Sequence, residues 1–524
     1  MRKFQRNPSN IHTFETILCY TMVDENLLYR KGSNIMKKKL CLCLCLVTLL
    51  SALASCNGGS TETETKTNTN TPSESTDTET TPAETEAPKA ESTLTITDFG
   101  GRDYRMISTN QDNRQVDINA TELTGSTLND LVYNRNFHVM ELYNVKMVAE
   151  DTEYNKINDM VKKDATSGDM SYDLYLTNYT ANALATQGYL YDFYTMPHVN
   201  LQNPWWDQNE IADMTIRDKL YMAIGDISPT ELLTSECILF NKVLFDTNGI
   251  PYPYEDALNS TWTLDKLLAI ADGKTTDLNG DGTIDVEDDM FSMTCWYDYG
   301  TAMFYGAGGD VSSFDSNGNV TLDIDVEKIS NIYNKIFAII NGTKANYETV
   351  VANHDRSFRV FSEGRAFFCG ITFQKIETFL REMEDDYGVL PNPKYDENQQ
   401  NYSTCVSGAG SMVVVPKTCT DPEYVGSMLE AMAAVSYDMI TPDLIHTMAS
   451  TKNVRDQESS EVVQMIIRNR NFDTARMHDI NADKFVEELL PKASTDVASY
   501  FAKNEKSYEK RLDEINKAYQ SLDE

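Results

Sequence analysis

An α/β chain with two packed units is what this sequence predicts. Three observations carry the prediction: strand-like and helix-like segments alternate, 41% of residues are hydrophobic and 10% aromatic, and 524 residues suit two or three globular units. The alternation begins at Tyr104–Ser108, an aromatic and β-branched run that fits a pleated surface, followed by a helical stretch at 127–143. Strand-like 145–149, helical 154–166 and strand-like 172–177 complete a β-α-β-α-β series, which implies a mostly parallel sheet covered by helices. In such a sheet, ligands sit beyond the carboxyl ends of strands. A second series holds strand-like 220–227, 237–240, 289–294 and 366–369, with helices at 264–271 and 329–340. Trp262 anchors the first of these helices, with Thr261 or Ser260 as its cap. Strand-like 388–391 and 411–416 follow, and a helical tail opens at Pro422.

The N-terminal region has a different character. Residues 1–35 lack apolar periodicity and read as a leader outside the mature protein, Met36 being taken as the start. Lys37, Lys38 and Lys39 then form a positive stretch, and Leu40 to Leu53 an apolar run too short to cross a bilayer permanently. Residues 36–55 therefore read as a signal peptide. It closes in Leu53-Ala54-Ser55-Cys56, which resembles a bacterial lipobox and implies lipidation of Cys56. Two or more acyl chains on that cysteine would anchor the chain stably. Residues 56–91 comprise that cysteine and a Thr/Glu/Pro-rich segment with too little apolar surface to offset the entropy of ordering, so they read as a tether. Outside the leader, the signal and Cys56 the cysteines are Cys237, Cys295, Cys369, Cys405 and Cys419, widely spaced and odd in number. Buried free thiols are expected, although one pair could oxidise.

The formal net charge is -35, from 80 acidic and 45 basic residues. Residues 1–55 carry eight basic and three acidic side chains and residues 57–91 two basic and eight acidic, so nearly all the acidity belongs to the body. Such a surface repels phosphate backbones and anionic headgroups, which excludes nucleic-acid recognition and fits a neutral ligand.

Motifs spread through the body resemble the sugar-binding, maltose-binding-protein-like solute-binding proteins that serve ABC importers. They include Q-G-Y-L-Y-D-F-Y (187–194), N-P-W-W-D-Q-N (203–209), D-K-L-Y-M-A-I-G-D-I-S (218–228), F-S-E-G-R-A-F-F-C-G (361–370) and G-A-G-S-M-V-V-V-P-K (408–417). The resemblance implies a two-lobed periplasmic-binding-protein-like (type II) fold with discontinuous lobes and an interlobe cleft. One lobe would hold 92–226 plus 385–435, the other 227–384 plus 436–524. It also implies capture of a carbohydrate by hinge closure, delivery to the membrane subunits of an ABC transporter, a monomeric receptor, and a place on the extracytoplasmic face of the cell envelope. Catalysis is not expected, since no G-x-S-x-G, H-E-x-x-H or P-loop is present and only 6 His occur. The alternatives are a lipid-anchored surface glycoside hydrolase or a calcium-dependent adhesion protein.

Sugars pair apolar C–H faces with polar rims, so their sites combine aromatic platforms with hydrogen-bonding side chains. At expected strand ends the candidates are Asn178, Tyr179, Asp226, Trp296, Tyr297 and Phe373. Each would serve packing as readily as ligand contact, Trp296 being the best single candidate. The sharpest local chemistry is D-L-N-G-D-G-T-I-D-V-E-D at 277–288. Asp277, Asn279, Asp281, Thr283 (through its carbonyl), Asp285 and Asp288 occupy the positions of an EF-hand-type calcium loop, with Gly282 at the sharp turn and Asp in place of the bidentate Glu. A structural calcium is expected, the alternative being an acidic turn without metal.

Overall fold

The computed structural model describes residues 89–522 apart from 351–352, 409 and 450–456. The leader, the signal peptide, Cys56 and most of the tether lie outside the described residues. The first series of strands is β1 (Arg102–Thr109), β2 (Val145–Thr152) and β3 (Leu174–Thr177). The second is β4 (Glu236–Asn241), β5 (Phe291–Trp296), the short pair β6 (Ser312–Phe314) and β7 (Val320–Leu322), β8 (Asn346–Glu348), β9 (Ala366–Thr372) and β10 (Tyr387–Leu390). β11 (Thr404–Cys405), β12 (Met412–Val414) and β13 (Arg470–Asn471) follow.

Two sheets organise the body. The first has the order β12-β3-β1-β2 and the second β10-β4-β9-β5-β8. The β-α-β-α-β series forms the parallel pairings of β1 with β2 and β3, as expected, and each sheet becomes mixed through strands that the series did not include. β12 runs antiparallel to β3, and β4 antiparallel to both β9 and β10. The reason is connectivity: β4 and β12 enter their sheets from the other sheet's side, so no crossover helix sets their direction. Helices cover the sheets by burying one side, as in Thr127–Tyr143, whose Val132, Val139 and Tyr143 are buried. The cap of helix Leu264–Ala271 is Thr263, not Ser260 or Thr261; its side chain accepts from the Lys266 N–H. The helical tail starts as Asp421 and Pro422 dictate, with the Asp421 side chain accepting from the Tyr424 N–H and Pro at the position where no N–H is needed.

Three expected boundaries move. Residues 387–390 pair with β4, so the return to the first sheet comes after β11 and not at 385. Ala90 is buried and the Glu91 N–H donates to Asp438 at 3.1 Å, which puts the last residues of the expected tether in the folded body. Residues 220–227 form no regular strand and pair through isolated bridges instead. Ala223 bridges Val413, with N–H···O distances of 3.1 and 2.9 Å, and Ser235 bridges Val406. Segments 223–235 and 406–413 thus run side by side from one sheet to the other. Gly225 sits under Trp206, where a Cβ would lie 2.7 Å from the indole. Close approach therefore demands glycine at this point.

Arg135 fastens this junction. It is fully buried on helix Thr127–Tyr143 and donates to the Ile227 carbonyl at 3.3 Å, to Ser436 Oγ at 2.7 Å and to the Asp117 carbonyl. The Asp117 carboxylate in turn accepts from Thr230 N–H (2.9 Å) and Oγ1 (2.6 Å). One guanidinium thus ties the first lobe to two of the segments that leave it.

Candidate functional site: the cleft between the sheets

The two sheets present their edges to a common cleft. A recess of about 310 Å³ has Gln111, Asp112 and Arg114 on the first-sheet side, with Glu236, Trp296 and Thr372 opposite. A second recess of about 260 Å³ shares Asp298 and Ser407 with it and adds Tyr154, Tyr179, Tyr297 and Arg476. The backbone delivers these side chains simply. Trp296 ends β5 and Thr372 ends β9, which are parallel, while Glu236 begins the antiparallel β4 and stands in register with Thr372. An antiparallel strand offers its amino end where its neighbours offer their carboxyl ends.

Aromatic rings line one stretch of the cleft. Trp296 is half-buried, with its ring 4.7 Å from Tyr297 and 5.4 Å, edge-on, from His354. Tyr179 follows β3 and packs against Gly408, where a Cβ would come within 2.8 Å of the ring. Between the aromatics stand two carboxylates, Glu236 and Asp298, to which no other described residue donates a hydrogen bond. Burial pushes Glu236 far above the usual carboxylate range, and the Asp298 charge adds to that. Burial likewise lifts Asp298 to about 6, against the pull of Arg476. On the other wall Arg114 is 1% exposed; its one ion pair is to Asp112 at 3.7 Å, and Nε and Nη1 have no partner among the described residues. The cleft therefore offers two acceptors and a donor fork that await hydrogen bonds from outside the chain.

The walls also touch. Gln374 Nε2 donates to the Asp112 carbonyl at 2.8 Å, and Lys375 pairs with Asp112 at 3.2 Å. Asp112 and Asn113 hold left-handed φ values of 52° and 62°, an uncommon state for residues with a Cβ, and this turns the loop toward the opposite wall.

Of the residues expected at the site, Tyr179, Trp296 and Tyr297 line the cleft. Three do not. Asn178 is fully buried and spends its carbonyl oxygen capping the turn that follows, accepting from Thr180 N–H and Oγ1. Asp226 lies at the junction, its N–H held by the Trp205 carbonyl, where burial raises it to about 7 against the attraction of Arg470. Phe373 opens a helix and is buried, while its neighbours Thr372 and Gln374 face the cleft. Asp298, two residues past Trp296, was open to the strand-end rule. Glu236 was hidden by the antiparallel direction of β4, and Arg114 and Arg476 come from the short helical turns Gln111–Asp117 and Thr474–Met477, which carry no sequence signal.

The acidic loop 277–288 lies away from the cleft. Its donors are turned onto its own backbone: Asp277 accepts from Gly280 and Gly282 N–H (2.6 and 2.8 Å), Asn279 from Asp281, Asp281 from Thr283, and Asp285 from Glu287 and Asp288. Buried Asp289, one residue past the loop, ties its ends by accepting from Leu278 and Asp285. Among the described residues no three His, Cys, Asp or Glu side chains converge as a metal shell. The donor chemistry and the turn at Gly282 (φ 88°) fit calcium; the side-chain directions require rearrangement before they do.

No family model and no curated protein matches the sequence. Solved structures do. The galacto-N-biose-/lacto-N-biose I-binding protein of the ABC transporter from Bifidobacterium longum superposes with a TM-score of 0.53 at 14% identity, over 80% of this chain and 98% of that one. A cyclo/maltodextrin-binding protein complexed with maltotetraose gives 0.51 at 14% identity, over 80% and 97%. The chain has the two-lobed fold of these binding proteins. A sugar transporter from Rhizobium etli in an open conformation gives 0.50 at 14% identity, over 80% and 99%. In this fold the recesses between the sheets are the interlobe cleft.

Burial around the cleft and junction has a titration consequence. Asp117, Asp213 and Asp298 are raised to about 6, Asp226 and Asp473 to about 7 and Glu231 to about 8, burial being the first cause of each. A raised folded-state carboxyl stabilises the fold below its unfolded value of about 4, and that contribution disappears as pH climbs through the folded values. Thermal melts are expected to show the highest Tm near pH 5 and a progressive fall toward pH 8.5; a flat or rising profile would contradict the burial of these groups as neutral acids.

Proposed function

We propose that this protein is a monomeric carbohydrate receptor that captures its ligand between the two lobes and delivers it to the membrane subunits of an ABC importer. The supporting observation is the composition of the cleft: Trp296, Tyr297 and Tyr179 beside the partnerless carboxylates of Glu236 and Asp298, with lining from both lobes. Aromatic faces suit the C–H surfaces of a sugar, and acceptors without protein partners suit its hydroxyls. A ligand that touches both walls favours the closed arrangement over the open one, which is how such a receptor reports occupancy. The likeness to sugar-binding proteins supports the same reading.

The test is a thermal-shift screen over mono- and oligosaccharides with product analysis. A neutral sugar is expected to raise Tm without turnover, and Trp296→Ala to weaken its binding about tenfold or more, equivalent to ~1.4 kcal/mol or more. Turnover of the sugar would favour a glycoside hydrolase. Silence toward every sugar with a response to peptides or polyols would overturn the ligand class.

Two accessory features complete the proposal. Cys56 carries a lipid that holds the receptor on the extracytoplasmic face of the envelope; among the described residues no helix is long and apolar enough to cross a membrane. Intact mass of membrane-extracted protein is expected to lose the lipid increment in Cys56→Ala. Loop 277–288 takes a structural calcium when Asp277, Asn279, Asp281, Asp285 and Asp288 turn from backbone amides to the ion, with the Thr283 carbonyl. Restoring calcium at about 100 times its Kd after EDTA treatment is expected to add ~2.7 kcal/mol of stability. An unchanged Tm would leave the loop as an acidic turn.

A further inference from the structure

The cleft does not stop at Tyr297 and Arg476. Its second recess shares Asp479, Asn481 and Lys484 with a third, of about 500 Å³, that runs along the C-terminal helix Val497–Ser521. The three recesses thus follow one another along shared lining residues, first Asp298 and Ser407 and then Asp479, Asn481 and Lys484. Each alone is near or inside the range for one small ligand, about 300–1,000 Å³. Their succession along shared walls is what points to a longer occupant.

The shared rim is a built feature. Asp479 and Asn481 both hold left-handed φ, 55° and 60°, a costly state for non-glycine residues that persists only where surrounding structure enforces it. Here Asn182 of the first lobe enforces it, donating to the Met477 carbonyl at 2.9 Å and to Asp479 Oδ2 at 3.1 Å. Beyond the rim stands half-buried Tyr500, its hydroxyl fixed on Glu488 at 3.2 Å. The outer recess has three carboxylates, Asp479, Glu488 and Glu514, and three cations, Lys484, Lys510 and Arg511. A balanced lining with a tyrosine ring suits a neutral, hydroxyl-rich chain better than an ion.

The opposite limit of the series is different. There the Asp112 loop reaches Gln374 and Lys375 and bridges the two walls. We propose that the groove between the 479–484 loop and the C-terminal helix is an outer subsite, and that the receptor takes a linear oligosaccharide end-on, one end enclosed near Trp296 and the Asp112 bridge, the other emerging over Tyr500. This rests on the carbohydrate reading and adds ligand length and direction to it.

Isothermal titration with the malto-, cello- and xylo-oligosaccharide series, from one to six rings, tests it. In the series that binds, Kd is expected to fall at least about tenfold from two rings to five. Tyr500→Ala and Ser507→Arg, the second at an exposed helix position where a longer side chain obstructs the groove without touching the core, are expected to remove that gain and leave disaccharide binding unchanged. Equal Kd at all lengths, or variants that weaken short and long sugars alike, would overturn the outer subsite while the receptor reading stands. No binding by any member of the three series would overturn the linear-oligosaccharide inference, while the receptor reading falls only if the whole sugar screen is silent as well.

Discussion

Arg135 is the constraint on which the arrangement of the two lobes depends. A guanidinium buried this fully must satisfy its donors inside the protein, and burial lowers it to about 10 against the attraction of Asp117. It does so on the Asp117 and Ile227 carbonyls and on Ser436, so the helix that carries it is bound to the chain where it leaves the first lobe and again near the end of helix Pro422–Met439. Without those bonds a charge would be stranded in the core, a far larger penalty than the loss of an ordinary surface pair. The paired segments 223–235 and 406–413 therefore start from a fixed point.

The cleft inherits its chemistry from that junction. Because segment 223–235 passes straight into β4, the amino end of that strand, with Glu236, arrives beside the carboxyl ends of β5 and β9. Aromatic and acidic side chains meet there without a dedicated loop. The carboxylates remain partnerless because the backbone around them is spent on the sheet ladder and on helix starts. Their raised titration and the orphaned donors of Arg114 express one condition: a polar site closed off from water but not satisfied by the chain itself.

Much of this was legible in the sequence, and the exceptions have physical causes. Helices 127–143 and 264–271 appear where the pattern put them, since the spacing of their buried apolar residues is local, whereas the cap of the second proved to be Thr263. Trp296, Tyr297 and Tyr179 were readable because they follow buried apolar strands directly. Strand direction was not, because parallel and antiparallel strands share the same two-residue alternation, and Glu236 and the true position of Tyr387–Leu390 were lost with it. Phe373 and Asn178 failed through side-chain parity and capping, which hydrophobic pattern alone does not resolve. The turned-in carboxylates of loop 277–288 show the same limit, since spacing names possible ligands and says nothing of what else those oxygens can accept.

Thr234 and Glu236 line the cleft, yet Thr234 also supplies the carbonyl that holds Ser407 in the crossing segment. The lining of the cleft and the crossing between the lobes thus share the same few residues. Under the proposed function, a substitution there would alter ligand contact and closure together. The walls that the crossing does not use, the aromatic end of β5 and the loops that precede the C-terminal helix, are where the proposed specificity could change without touching the hinge.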